Sequence, residues 1–117
     1  MTPAAHSILA FGAYLVALGL ALLLSPNALL GLFGFAPTGE VWIRVVGMLA
    51  GILGVYYLQA ARAGLAAFFR WTVPVRLSVP AFFAAFVVLG MAPAPLLLFG
   101  AADAAGALWT WSALRRG

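Results

Sequence analysis

The sequence has 117 residues, of which 67% are hydrophobic and only 7% are charged. Soluble domains carry roughly 25% charged residues, and a fold of this size leaves too much surface exposed to hold so apolar a chain in water. Lipid is therefore the expected solvent, and the length predicts a single domain over residues 1–117. The chain lacks cysteine, and its net charge of +4 comes from scattered arginines. Disulfides and thiolate chemistry are excluded, and nucleic-acid binding is not indicated.

Four apolar segments follow one another, each close to the ~20 residues that a spanning helix needs. They cover about Ala5–Leu24, Val41–Ala61, Thr72–Met91 and Pro95–Ala113. Lipid offers no partner to backbone polar groups, so every segment is predicted to be a helix and the fold class is all-α. The short third connection predicts an antiparallel hairpin of the last two helices within an up-down bundle of four transmembrane helices.

The arginines predict the orientation of this bundle. Five of the six lie near the second connection or the C-terminus, on the side that also holds the N-terminus if all four segments span. Cytoplasmic loops retain Lys and Arg, so both termini are predicted to be cytoplasmic. Trp71, Trp109 and Trp111 fall at that boundary and Trp42 at the outer one, which is the pattern of an interfacial aromatic belt.

The first connection carries signals for a short helix of its own. Ser25 is a candidate N-cap with Pro26 at the first helical position, and Gly34 is a stop signal. This segment is predicted to lie on the outer membrane surface or over the mouth of the bundle, or else to be a loop that dips into the interface. In the third apolar segment, Pro74 is predicted in the first turn and Pro80 at a kink.

Two predicted helices each have a face of small residues that includes one charged side chain. These faces are Arg44, Gly47, Gly51, Gly54 and Leu58 in the second helix, and Gly100, Asp103, Gly106, Ala107 and Thr110 in the fourth. Residues at three- and four-residue steps share a helix face, and glycine lets a second backbone approach closely. We therefore predict that the two faces pack against each other and that their charges pair.

The charge in the last segment needs such a partner. A lone Asp at the centre of a spanning helix costs about 2.5–3.5 kcal/mol, and a bidentate guanidinium satisfies a carboxylate. Arg44 and Asp103 differ in depth by roughly 7.5 Å at 1.5 Å per residue. Arg44 is therefore the preferred partner, and Arg76, which enters from the cytoplasmic side, is the second choice. Two interpretations stay open: a structural pair that sets helix packing, or a polar pocket for a substrate, ion or proton.

Other polar residues give weaker indications. The Tyr14 hydroxyl is predicted either to hydrogen-bond within the core or to face a pocket beside Asp103. Gln59 is either an interface anchor or turned inward. His6 is the only histidine, and one histidine does not make a metal site. No metal and no cofactor is expected.

Three segments, "WIRVVGMLAGILGVYYL", "FRWTVPVR" and "FGAADAAGALWTWSALRR", resemble small bacterial four-helix integral membrane proteins loosely grouped as DoxX-like. The resemblance spans most of the chain. It rests on an arginine followed by spaced glycines and on an Asp–Gly–aromatic segment. It implies a four-helix bundle in the bacterial cytoplasmic (inner) membrane and carries no particular activity.

The expected function is that of a non-enzymatic integral membrane protein in contact with the lipid bilayer. It would bind a partner protein or an apolar small molecule within the bundle, alone, as a homo-oligomer or in a larger membrane complex. The alternative is a small transporter or channel that uses Asp103 as a proton or cation site. An enzyme is not expected, because the chain has no cysteine, no histidine pair and one acid within the membrane.

Overall fold

A computed structural model describes residues 1–116. Within this range the chain is all-helical, which confirms the predicted fold class. The five helices are α1 (Pro3–Leu24), α2 (Pro26–Leu32), α3 (Trp42–Ala63), α4 (Ala66–Val88) and α5 (Leu96–Arg115). Of these, α1, α3 and α4 are long and apolar enough to cross a membrane. An all-helical chain with three such helices is a membrane protein by its physical character.

The termini of α1 and α2 follow from local sequence signals. Oγ1 of Thr2 accepts a hydrogen bond of 3.1 Å from the Ala5 amide and so caps α1. The short helix α2 begins at Pro26, as predicted, but the Ser25 side chain makes no capping hydrogen bond. The segment leaves α2 through Gly34, whose φ of 82° is a conformation that favours glycine. The helical interpretation of the first connection is therefore confirmed over its loop alternative.

The start of α4 differs from the prediction. Gly64 ends α3 in the left-handed conformation, with φ of 65°, and α4 begins only two residues later at Ala66. The sequence analysis placed this start near Thr72, because Arg70 and Trp71 are typical of a membrane interface. The helix instead includes both residues. Pro74 consequently lies inside α4 and not in its first turn. Its ring removes one backbone hydrogen bond from the helix interior, as Pro80 does six residues later.

Four long helices form two close pairs, α1 with α3 and α4 with α5. The pairs are joined through α1, which also packs on α5 and, less extensively, on α4. The α3 helix has no extensive contact with α4 or α5 within the described residues. It meets α4 near their short connection, where the rings of Tyr57 and Phe68 lie 5.2 Å apart edge to face. Further along, the two helices diverge, and this divergence positions the cavity described below.

The glycine face of α3 packs on α1 and not on α5, so the prediction that the two small-residue faces meet is wrong. A Cβ added at Gly47 would lie 2.8 Å from the carbonyl oxygen of Gly19, and one at Gly54 would lie 2.8 Å from that of Gly12. Gly51 takes part through its backbone nitrogen, 2.6 Å from where a Cβ on Gly19 would stand. Gly12 and Gly19 of α1, one heptad apart, thus pack against the α3 face that was predicted to pack on α5.

The glycines of α5 have different partners. A Cβ added at Gly100 would stand 3.0 Å from Cα of Pro80 on α4. One at Gly106 would lie 2.7 Å from the ring of Phe11 on α1. Both positions are therefore sites of close helix packing, as predicted, but α4 and α1 are the elements that pack there.

Candidate functional site

Arg44 lies away from Asp103. Its side chain is exposed at the start of α3, and Nη1 donates a hydrogen bond to the carbonyl oxygen of Leu23 near the end of α1. The last carbonyls of a helix lack intrahelical partners and carry partial negative charge, so a guanidinium is well placed there. The predicted Arg44–Asp103 pair is therefore wrong, because α3 packs on α1 and brings Arg44 to the end of that helix.

Arg76 is the charged residue that the fold buries, with 2% of its surface exposed. Its Nη2 donates to Oγ1 of Thr72 over 2.9 Å and to Oγ1 of Thr110 over 2.7 Å. Its Nε donates a longer bond of 3.4 Å to the Thr72 carbonyl oxygen. Thr72 is one turn before Arg76 on α4, whereas Thr110 comes from α5. The guanidinium therefore links the two helices of the hairpin.

The hydroxyl groups around Arg76 have a single consistent direction of donation. Ser7 Oγ donates to the Ala4 carbonyl oxygen over 2.7 Å and also lies 2.7 Å from Thr110 Oγ1. Each hydroxyl has one proton, and that of Ser7 is used on Ala4, so Thr110 donates to Ser7. The series runs from Arg76 to Thr110, from Thr110 to Ser7 and from Ser7 to the α1 backbone. Both hydroxyls are fully buried, and the series joins α4, α5 and α1.

The rest of the guanidinium faces aromatic rings and a glycine. Cζ of Arg76 lies 4.8 Å from the ring centre of Phe11 and 5.8 Å from that of Tyr57, both within cation–π range. Nη1 is buried and has no hydrogen-bond partner among the described residues. A Cβ at Gly106 would lie 3.1 Å from this nitrogen, so glycine at that position leaves room for Arg76.

Asp103 lies on the same face of α5 as Thr110, two turns earlier, and its side chain is partly buried. Arg76 is a cation near this carboxyl group, because its Nη1 lies 3.1 Å from where a Cβ on Gly106, three residues after Asp103, would stand. The two groups are not directly hydrogen-bonded, because Nη2 and Nε bond to threonine oxygens and Nη1 has no partner in the described chain. Arg76, the second-choice partner in the sequence analysis, therefore lies near Asp103 without bonding to it.

Asp103 borders an apolar cavity of about 350 Å³. Tyr14 and Asp103 supply the polar atoms at this cavity, and the rest of its lining is aliphatic or phenylalanine. All five helices contribute to the lining, for example through Leu18, Leu29, Val46, Val79 and Phe99. The alternative in which Tyr14 stands beside Asp103 at a pocket therefore agrees with the structure.

The shape of the cavity follows from the helix arrangement. Val46 of α3 and Val79 of α4 both line it, yet these helices do not pack extensively on each other, so the cavity lies where they diverge. The α2 segment covers one end, where the ring of Phe33 contacts that of Phe99 on α5 at 5.0 Å. The segment thus folds over the mouth of the bundle, which was one of the two predicted placements.

The other predicted site residues lie elsewhere. Gln59 is exposed on α3 and is not part of the cavity or of the Arg76 cluster. A second, more polar cavity of about 380 Å³ lies beside the loop before α3 and is lined in part by Arg44 and Glu40. There the Asn27 amide bonds both the backbone N–H and the carbonyl oxygen of Thr38, which fixes the loop to α2.

Sequence reasoning missed the hydroxyl partners of Arg76. Thr72 stands four residues before Arg76, a spacing that places both on one helix face. Thr110 shares a face with Asp103, and Ser7 stands one heptad before Tyr14. These spacings were visible in the sequence, but which helices would bring them together was not.

Within residues 1–116 no group of three or more His, Asp or Glu side chains is arranged to hold a metal ion. Comparison with known proteins found no matching family model, no matching curated protein and no matching solved structure.

Proposed function

We propose that this chain is a four-span integral membrane protein that binds an apolar small molecule in the cavity beside Asp103. In this arrangement α5 joins the three candidate spans. Its 20 residues extend about 30 Å at 1.5 Å per residue, which is the thickness of a hydrocarbon core. The arginine distribution supports cytoplasmic termini with α2 at the outer surface. The resemblance noted from the sequence favours a bacterial inner membrane.

The cavity is the observation that supports this function. Small-molecule sites occupy about 300–1,000 Å³ and combine an apolar lining with a few polar groups that orient the ligand. The cavity has about 350 Å³, lies between helices and carries one carboxyl and one phenol group. Helices in lipid associate through van der Waals contacts, and an empty space between them lacks these contacts. An acyl chain or a ligand is therefore expected to fill it.

A cation channel or proton pathway through Asp103 is disfavoured by the position of Arg76. The Arg76 guanidinium is bonded to Thr110, two turns from Asp103 toward the cytoplasmic end of α5 in the proposed orientation. A fixed positive charge raises the electrostatic barrier to cations along a narrow path. Arg76 thus separates Asp103 from the cytoplasm, and the carboxyl group is better suited to the end of a binding site that has no path to the cytoplasm.

The test is binding of hexylbenzene to the purified protein in lipid nanodiscs, followed by thermal unfolding. A ligand that binds only the folded state stabilises it by about 2.7 kcal/mol at one hundred times its Kd. Leu18→Trp adds an indole into the cavity and is expected to abolish this stabilisation. Leu20→Trp, on the lipid-exposed side of the same helix, is the matched control and should retain it.

Two results would contradict the proposal. Stabilisation that is equal in the Leu18 and Leu20 variants would place the bound molecule outside the cavity. Proton or cation flux into liposomes that depends on Asp103 would assign the carboxyl group to transport instead.

A further inference from the structure

We propose that the ligand is a neutral hydrophobic molecule with one hydroxyl group, and that this hydroxyl donates a hydrogen bond to the Asp103 carboxylate. This inference rests on the proposed function and names the chemical class of its ligand. It is supported by four features of the cavity: its charge, its free acceptor atoms, its apolar lining and the route by which it opens.

The charge of the site favours a neutral ligand. Asp103 is the one acidic residue at the cavity, and Arg76 lies near it, with Nη1 beside Gly106, without a hydrogen bond to it. With Asp103 ionised, the charges of the two side chains sum to zero. An ammonium group at Asp103 would add a second cation near Arg76 in a medium of low dielectric constant, where like charges repel strongly. A hydroxyl group donates to the carboxylate and adds no charge.

The carboxylate oxygens are also available as acceptors. The hydrogens of Nη2 and Nε of Arg76 are directed to Thr72 and Thr110, so they do not occupy the carboxylate. A partly buried carboxylate that faces an apolar space without a donor loses part of the solvation that it had in water. The hydroxyl of a ligand restores one hydrogen bond, and the phenol of Tyr14 stands at the same cavity as a second orienting group.

The remaining lining specifies the rest of the ligand. Beyond Tyr14 and Asp103 the cavity surface is aliphatic or phenylalanine, so a second polar group would be desolvated without a partner. A cavity of about 150 Å³ holds benzene. The cavity of about 350 Å³ is more than twice that size and fits a phenol with a short alkyl chain.

The cavity opens toward lipid. Val46 and Val79 line it from two helices that diverge, whereas Leu29 and Phe35, in and after α2, cover the end at the outer surface. A molecule dissolved in the bilayer can therefore enter sideways between α3 and α4. This route suits a hydrophobic molecule with a small polar end.

The test compares three matched probes in nanodiscs, with affinities corrected for partitioning into lipid: 4-hexylphenol, hexylbenzene and 4-hexylbenzylammonium. Hydrogen bonds to a charged group favour the phenol by about tenfold or more over hexylbenzene. The ammonium probe is expected to bind more weakly than the phenol. This comparison uses the unaltered protein and does not depend on the folding of any variant.

Variants locate the hydrogen bond. Asp103→Ala should reduce the preference for the phenol over hexylbenzene to about onefold, while Asp103→Asn, which keeps an acceptor oxygen, should retain part of it. Glu40→Gln alters the other acidic residue, which is exposed outside this cavity, and should leave the preference unchanged.

Each failure has its own signature. Equal binding of phenol and hexylbenzene, blocked by Leu18→Trp, would overturn this inference and leave the proposed function intact. Tighter binding of the ammonium probe would overturn the assignment to a neutral ligand. If no probe binds, the proposed function fails together with the inference.

Discussion

Arg76 on α4 donates a hydrogen bond of 2.7 Å from Nη2 to Oγ1 of Thr110 on α5. Thr110 donates in turn to Ser7 on α1, so one guanidinium orders side chains from three helices. A cation within a bilayer is costly unless its donors are satisfied, and here two threonines and two aromatic rings supply most of that compensation. The Arg76 cluster is therefore the polar centre of the bundle.

The first prediction concerns Thr110→Val, which removes the hydroxyl and keeps the shape of the side chain. One N–H of Arg76 and the acceptor side of Ser7 then lose their partner in a buried site. Leaving buried groups unsatisfied costs about 1–3 kcal/mol, so the free energy of unfolding should fall by at least about 1 kcal/mol. Equilibrium unfolding in mixed micelles of mild detergent and SDS measures this change.

Ser112→Ala is the control for this substitution, since Ser112 is an exposed hydroxyl residue on the same helix. Its effect should stay within about 0.5 kcal/mol, as for most surface substitutions. Equal losses in the two variants would show that the hydrogen bond from Arg76 to Thr110 contributes nothing specific to stability.

The second prediction separates two glycines of α3 that are one turn apart. A Cβ at Gly47 would lie 2.8 Å from backbone atoms of Gly19 and Leu23, so Gly47→Ala must push α1 and α3 apart. Overpacking of this kind costs about 1–3 kcal/mol. A Cβ at Gly51 would meet nothing within 4 Å. Gly51→Ala should therefore be neutral or stabilise the protein by up to about 1 kcal/mol through helix propensity.

The same unfolding assay checks this pair of variants. If Gly51→Ala lowered the free energy of unfolding as much as Gly47→Ala does, the whole glycine face of α3, and not one side of it, would be in contact with α1. The result would then contradict the packing of α1 on α3 described above.

The helices themselves could be predicted from the sequence because their signals are local. Apolar length, the proline after Ser25 and the glycine at 34 are short-range features, and the helices were placed to within a few residues except at the start of α4. The glycines of α3 and α5 were also recognised as close-packing positions, since a missing side chain has the same consequence beside any neighbour. These predictions did not require knowledge of which helix was the partner.

The identity of the partner helix could not be predicted in this way. Three helices have small-residue faces, and that of α1, with Gly12 and Gly19 one heptad apart, was overlooked. Arg44 was paired with Asp103 because the two residues lie at similar depth. Residues at similar depth make contact only if their helices are neighbours in the bundle. Because α1 stands between α3 and the α4–α5 pair, Arg44 reaches the end of α1 and Arg76 becomes the cation near Asp103.

The third prediction is a pair of double-mutant cycles that tests this rearrangement. Arg44→Ala and Asp103→Asn should be additive to within about 0.3–0.5 kcal/mol, because residues that share no partners do not couple. Arg76→Met and Asp103→Asn should show coupling of about 0.5–3 kcal/mol, since Nη1 of Arg76 lies beside Gly106, less than one turn from Asp103. Measured free energies of unfolding for the single and double variants give both values. Strong coupling of Arg44 to Asp103 would restore the ion pair that the sequence suggested.

The fourth prediction concerns the path of the chain through the membrane. The sequence contains no cysteine, so single cysteines report position without background. With four spans and cytoplasmic termini, a membrane-impermeant maleimide should label Gly39→Cys in intact cells and should label Thr2→Cys, Ala66→Cys and Ser112→Cys only after permeabilisation. All four positions are exposed and lie outside the centres of the long helices, so labelling depends on sidedness. Labelling of Ser112→Cys in intact cells would mean that α5 does not cross the membrane, and the cavity beside Asp103 would then lie outside the hydrocarbon core.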